Sequence, residues 1–223
     1  MSGFRSFLKV IEAYSSELQA IGAEPPPAPR WDQDWFPRLD AAAAYALVRE
    51  TRPRRIVEVG SGHSTRFLAR AVADDGLPTW ITAIDPQPRA SIAGLKVEFL
   101  KSSVQDVNSS LFDKLEAGDI LFIDSSHQVK PGSDVAFLLD EIIPMLPAGT
   151  RVHFHDIFLP DGYPREWAWR RYNEQDAVAV LLEKKIFGVD FSSHRATRSF
   201  SGVLARLPLV PGAMESSLWL RKN

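Results

Sequence analysis

Arg55-Ile56-Val57-Glu58-Val59-Gly60-Ser61-Gly62-His63-Ser64-Thr65-Arg66-Phe67-Leu68 is the stretch that decides the fold. Residues 56–59 form a short, β-branched run of the kind that makes a strand buried on both faces. Gly60 and Gly62 break it, and Phe67, Leu68, Ala71 and Val72 then recur at helical spacing. A strand passing through a glycine turn into a helix is the opening unit of an α/β domain.

Further strands are predicted at 80–84 before Asp85-Pro86, at 97–100, at 119–123 before Asp124, and at 151–154 before His155-Asp156. Helical spacing covers 135–145 and 171–185. Strands at 187–191 and 217–220 follow without a crossover helix between them, which predicts an antiparallel pairing at the C-terminus. The alternation predicts an α/β fold, doubly wound, with a mainly parallel sheet covered on both faces.

Upstream, Phe4, Phe7, Leu8, Ile11, Leu18 and Ile21 recur at helical spacing. Glu24-Pro25-Pro26-Pro27-Ala28-Pro29 then reads as a stiff linker. The expected organisation is an N-terminal helical arm and linker over 1–39 and one domain over 40–223, with Asp40 as N-cap of a helix that Pro53 stops. The arm is available to its own domain or to a second copy in a homo-oligomer.

At 223 residues the chain has room for one full domain with an extension. A formal net charge of −2 provides no broad attraction to nucleic acid or to anionic membrane. With no cysteine, disulfides, thiolate metal sites and cysteine nucleophiles are excluded. Arg5, Lys9 and Glu12 interrupt any leader-like apolar run, and no segment nears the ~20 apolar residues of a membrane span, so the expected location is cytoplasmic.

Ligands of open α/β sheets bind outside the carboxyl ends of the strands. Those ends read Glu58-Val59-Gly60-Ser61-Gly62, Asp85, Asp124 and His155-Asp156. One such Asp is ordinarily a turn residue, but a series on one rim points to a site. The glycines let backbone N–H groups approach a ligand closely. Where a dinucleotide fingerprint needs a third Gly or Ala, this chain has Thr65. Asp85, 23 residues past Gly62, suits the two hydroxyls of a ribose, and Glu58 suits an ammonium group. A ribose, an amine and no phosphate describe S-adenosylmethionine better than NAD.

The segment from Arg55 to Ala71 resembles the first motif of class I S-adenosylmethionine-dependent methyltransferases. The stretches 118–127 and 152–158, Asn173-Glu174-Gln175 and Ser217-Leu218-Trp219-Leu220-Arg221 are similar to a branch of small-molecule O-methyltransferases, the macrocin O-methyltransferase-like and cephalosporin hydroxylase-like proteins. The resemblance runs from about Asp40 to Asn223. It implies a seven-stranded sheet with a reversed last strand. It also implies a donor held by Glu58, Gly60, Ser61 and Gly62 at its methionine end, by Asp85 at the ribose and by Ser103 beside the adenine, with Asp124 close to it.

Metal-dependent members of the superfamily place oxygen ligands at the ends of strands four and five. The candidate ligands here are Asp124, His155 and Asp156, and the imidazole would favour Mn²⁺, Fe²⁺ or Zn²⁺ over Mg²⁺. Simple hydrogen bonding of the same carboxylates is the competing reading. His127 is the candidate general base, with Asp124 beside it. His153 reads as structural, one layer deeper than His155, and His63 and His194 as backbone or ligand contacts. The aromatic, arginine-rich stretch 158–172 reads as a wall or lid over an acceptor. The function expected is transfer of a methyl group from S-adenosylmethionine to a hydroxyl of a small molecule, with or without a divalent cation. A non-catalytic S-adenosylmethionine-binding subunit and a Rossmann-type oxidoreductase are the alternatives.

Overall fold

The computed structural model describes residues 2–198, 202 and 204–223. The side chains of Phe4 and Arg5 lie outside what is described. Helices α1 (Ser2–Ala13) and α2 (Ser15–Ala20) precede α3 (Arg38–Thr51). The alternating part then begins: β1 (Arg55–Val59), α4 (His63–Asp74), β2 (Trp80–Ile84), β3 (Glu98–Leu100) and β4 (Ile120–Ile123). A helical run follows, from α5 (Asp134–Phe137) through a π-helical turn (Leu138–Ile142) into α6 (Ile143–Met145). Next come β5 (Arg151–Phe154), α7 (Glu174–Glu183), β6 (Phe187–Ser192), α8 (Ser193–Ala196) and β7 (Leu218–Lys222). Among the described residues no helix is long and apolar enough to cross a membrane.

The seven strands form one sheet in the order β3-β2-β1-β4-β5-β7-β6. The first five are parallel, whereas β7 runs antiparallel to both β5 and β6. The reversed strand is therefore inserted, and β6 forms the edge. The chain winds outward from β1 to β3 and then crosses back to β4, so the switch point lies between β1 and β4. Parallel strands are covered on both faces, which is why their sequences read as continuous apolar runs. One core packs α1–α4 against Ile56, Phe122 and Trp219, and the other packs α5–α7 against Val57, Leu121 and Val152.

Two expectations are corrected. The N-terminal segment is not set apart, because Ile11, Leu18, Ile21, Trp31 and Phe36 are buried in the same core as Phe122 and Trp219. Its apolar face therefore covers its own sheet, and the Trp31 indole Nε1 donates to the Leu18 carbonyl at 3.1 Å across the proline segment. Nor is Asp40 an N-cap. It lies inside α3, wholly buried, and accepts from the backbone amides of Ser216 and Ser217 at 2.8–3.1 Å. The carboxylate thereby ties α3 to the entry of β7.

Candidate active site

The turn after β1 sets the geometry of the rim. Gly60 has φ +95°, and a Cβ built there would stand 2.0 Å from the Asp124 carbonyl oxygen. The Asp124 amide also donates to the Val59 carbonyl at 2.9 Å, so the ends of β1 and β4 touch backbone to backbone. Gly62, at φ +149°, donates its amide to the Thr65 hydroxyl at 2.9 Å. The residue that departs from the dinucleotide fingerprint thus closes the first turn of α4 from inside.

A cleft of about 720 Å³ opens over this rim, in the size range of small-molecule sites. Its walls include Gly60, Ser61, Asp85, Ser103 and Asp124. Asp85 accepts from the Ser61 hydroxyl at 3.0 Å and from the Gln87 amide at 2.7 Å, and so is held at the cleft wall. Glu58 and Gly62 are not wall residues, contrary to expectation. Glu58 lies fully buried behind the turn and accepts from the Ser64 hydroxyl at 2.6 Å, while its Oε2 has no partner. Burial pushes its carboxyl up to about 8 against the opposing pull of Ser64 and Thr65.

A second, smaller cleft of about 110 Å³ adjoins the first. Asp34, Trp35, Asp156, Trp167 and Arg170 are among its walls, and it shares Asp124 and Arg89 with the larger cleft. Arg89 stacks on Trp35 at 4.4 Å and Arg170 on Trp167 at 4.0 Å, so cation–π pairs line it. The segment 158–172 does form a wall, through Trp167 and Arg170, while Trp169 points outward at 77% exposure.

Beneath Asp124 lies a buried cluster of two imidazoles and four carboxylates. His127 Nδ1 is 2.9 Å from Glu174, and its Nε2 faces Asp124 at 3.4 Å and Asp156 at 3.5 Å. His155 Nε2 is 3.1 Å from Asp40, and its Nδ1 faces Asp124 at 3.6 Å and Asp156 at 3.4 Å. Burial alone would depress both imidazoles, but the surrounding carboxylates outweigh it and hold both well above the ordinary histidine value. Burial would likewise raise Asp124, yet His155 and His127 hold it well below the usual carboxylate range. His153 lies one layer deeper, stacked 3.7 Å from Phe122 and bonded to the Ser217 hydroxyl, as a structural residue would be. His194 bonds Asp161 at 2.8 Å, and His63 is buried at the start of α4.

This geometry corrects the reading of His127 as a free base. The ring is 2% exposed, roofed by Tyr172 at 4.7 Å, and lines neither cleft. Its backbone carbonyl also accepts from the amides of Asn173 and Glu174, which draws the 173–174 turn over it. The structure brings the candidate ligands Asp124, His155 and Asp156 together on one wall of the smaller cleft, with His155 Nδ1 3.6 Å from Asp124 and 3.4 Å from Asp156. Asp40, Arg89 and Trp35 escaped the sequence reading as site residues, and Glu174 entered it only through a motif. Asp40 did leave a signal, an acid on the apolar face of an alanine-rich helix.

Sheet order, inserted antiparallel strand and rim together define a class, the class I methyltransferase fold. Residues 57–157 match a family model described as a methyltransferase domain. An uncharacterized protein from Archaeoglobus fulgidus is 35% identical over 89 residues, which are 36% of this chain and 39% of that relative's length. Among solved structures, an SAH-bound methyltransferase from Podospora anserina superposes with a TM-score of 0.54 at 18% identity, covering 96% of this chain and 88% of that one. The O-methyltransferase TomG of tomaymycin synthesis from Streptomyces achromogenes, solved with SAM, gives 0.52 at 16% identity, covering 97% and 89%.

Proposed function

We propose that the protein transfers a methyl group from S-adenosylmethionine to a hydroxyl of a small molecule. The observation that carries this reading is the pair of clefts meeting at Asp124. The larger suits the donor in size and in chemistry: a glycine turn admits close approach, Asp85 offers a carboxylate to the ribose, and Ser103 borders the far end. The smaller cleft, at about 110 Å³, has room for the hydroxyl-bearing end of an acceptor beside Asp124. The solved O-methyltransferase TomG carries SAM on the same fold, which supports both the donor and an oxygen acceptor.

When bound, the donor supplies an activated methyl group and its own leaving group. The chain has to align the acceptor oxygen at ~3–3.5 Å and keep water away. Asp124 is the carboxylate open to both clefts; ionised, it accepts the hydroxyl's hydrogen bond and takes up the proton that the oxygen gives up on methylation, to be released later to solvent. Trp35 and Trp167 flank the acceptor as apolar walls, with Arg89 and Arg170 on their faces.

Calorimetry with S-adenosylmethionine, SAH and NAD tests the reading, followed by an acceptor screen over hydroxylated sugars, phenols and polyketides. Asp85→Ala should weaken binding of the sulfonium donor by roughly 10–100-fold, the worth of one hydrogen bond to a charged group, and by more if both ribose hydroxyls are held. Unchanged donor affinity, or tighter binding of NAD, would refute the donor assignment. A domain that binds donor but methylates no hydroxyl in the screen would favour the non-catalytic alternative.

A further inference from the structure

We infer that Arg89 binds the carboxylate of the donor's amino-acid tail, at the point where the two clefts meet. This role rests on the donor reading proposed above and adds the residue that fixes the donor's anionic end. A donor of this class carries one carboxylate beside its ammonium and sulfonium groups. The larger cleft presents several like charges to it, since Asp85, Asp124 and Asp134 are all wall residues. Among the described residues two cations line that cleft, Arg89 and Lys130. Lys130 belongs to the Ser103 end. It lies on the 130–133 turn, where the Gly132 carbonyl accepts from the Gln105 side chain at 3.0 Å, and its Nζ donates to Gln128 at 3.4 Å.

Arg89 belongs to the glycine-turn end. The Ala90 amide nitrogen lies 3.6 Å from where a Cβ on Gly62 would stand, so the backbone at 89–90 crosses the turn assigned to the methionine tail. Arg66 clamps this crossing, donating Nε and Nη2 to the Ser91 carbonyl at 3.0 and 2.6 Å. The Arg89 guanidinium stacks on Trp35 at 4.4 Å and makes no hydrogen bond or ion pair with any described residue. Stacking occupies the flat face of a guanidinium and leaves its N–H edge open. That edge is the one that grips a carboxylate through two parallel hydrogen bonds. Besides Asp124, Arg89 is the residue that lines both clefts, so a tail held there ends beside the smaller cleft. The stacked cation thus anchors the tail on one side of the sulfur while Asp85 holds the ribose on the other.

Calorimetry on the full chain compares SAH with its decarboxylated form, S-adenosyl-3-thiopropylamine, which keeps the nucleoside, thioether and ammonium and lacks the carboxylate. Arg89→Ala should weaken SAH by roughly tenfold or more, the worth of a charge-assisted hydrogen bond, and should not weaken the decarboxylated ligand. The ratio of the two affinities should fall by the same factor. Arg89→Lys should recover part of it, because the charge remains and the fork does not. An unchanged ratio would overturn the inference and leave the donor reading intact, whether both affinities stay as they were or fall together as for a structural arginine. A wild type that binds neither ligand would refute the donor reading, and this role with it.

Discussion

Replacing His127 by alanine separates two roles that a histidine in this position can have. A free general base would lose turnover, keep donor affinity and leave stability nearly unchanged. The structure predicts the reverse order of effects. His127 and Glu174 are 2.9 Å apart with side-chain exposures of 2% and 1%, so His127→Ala strands a buried carboxylate. Breaking such a pair from one side costs about 3–5 kcal/mol. That is a large part of the 5–15 kcal/mol typical of a whole domain. With a urea slope of roughly 2–3 kcal/mol per molar, the unfolding midpoint should fall by about 1–2 M.

The pH dependence has a definite sign. The folded-state pKa of His127 lies well above its ordinary 6.5. Its contribution is therefore complete below the unfolded value and is lost as pH rises through the folded one. The gap between wild type and His127→Ala should be widest in acid to neutral solution and narrow in alkaline solution. A double-mutant cycle with Glu174→Leu isolates the pair, and the coupling should reach about 1–3 kcal/mol. Suppose instead that His127→Ala unfolds at the wild-type urea concentration, binds SAH normally, and recovers turnover at high pH. The buried-pair reasoning would then be wrong and the free-base role restored.

Two further outcomes follow from the turn after β1. Gly60→Ala should destabilise by about 2–6 kcal/mol, combining backbone strain at positive φ with overpacking. The comparator is Gly132→Ala, also at positive φ but with open space around its Cβ, which should lose only the strain; equal losses in urea melts would show that the contact with Asp124 is unimportant. Glu58, at about 8 in the fold against an ordinary 4.5, lowers stability as pH rises between those values. Glu58→Gln should therefore gain on the wild type between pH 5.5 and 8.5, by at most about 5 kcal/mol over the full window. A stability difference that did not change with pH would mean that Glu58 is ionised already in acid.

Much of the sheet was legible because parallel strands buried on both faces must be apolar throughout, as Ile120-Leu121-Phe122-Ile123 is. The rim was legible for a related reason. A strand has to end where polar residues begin, so Asp85, Asp124 and His155-Asp156 marked both the boundaries and the ligand edge. The helix boundaries were less clear. The 171–185 prediction overshot at both ends, since Arg171 and Lys185 take positive φ and only Glu174–Glu183 is helical. The N-terminal segment was misread because a proline-rich stretch looks like a spacer in any sequence. Whether it spaces or packs depends on Trp31 and Phe36, which lie beyond it and anchor it in the core.

The interior of the site was illegible for a deeper physical reason. A buried charge is tolerated only beside its partners, and those partners come from wherever the fold brings them. Asp40 meets His155 from 115 residues away and Glu174 meets His127 across 47. Local pattern carries no trace of such pairings, so His127 looked unattached beside Ser125-Ser126 and was given the task of a free base. Once the chain closes, four carboxylates surround the two rings, and His127 is left facing Asp124, Asp156 and Glu174 and neither cleft. The same closure leaves Asp124 as the carboxylate that reaches both clefts, ionised because the imidazoles behind it hold it so. The chemistry of the rim is therefore set by residues behind it. A substitution at Asp40 or Glu174 should reach the clefts through the groups that its imidazole partner touches, Asp124 and Asp156.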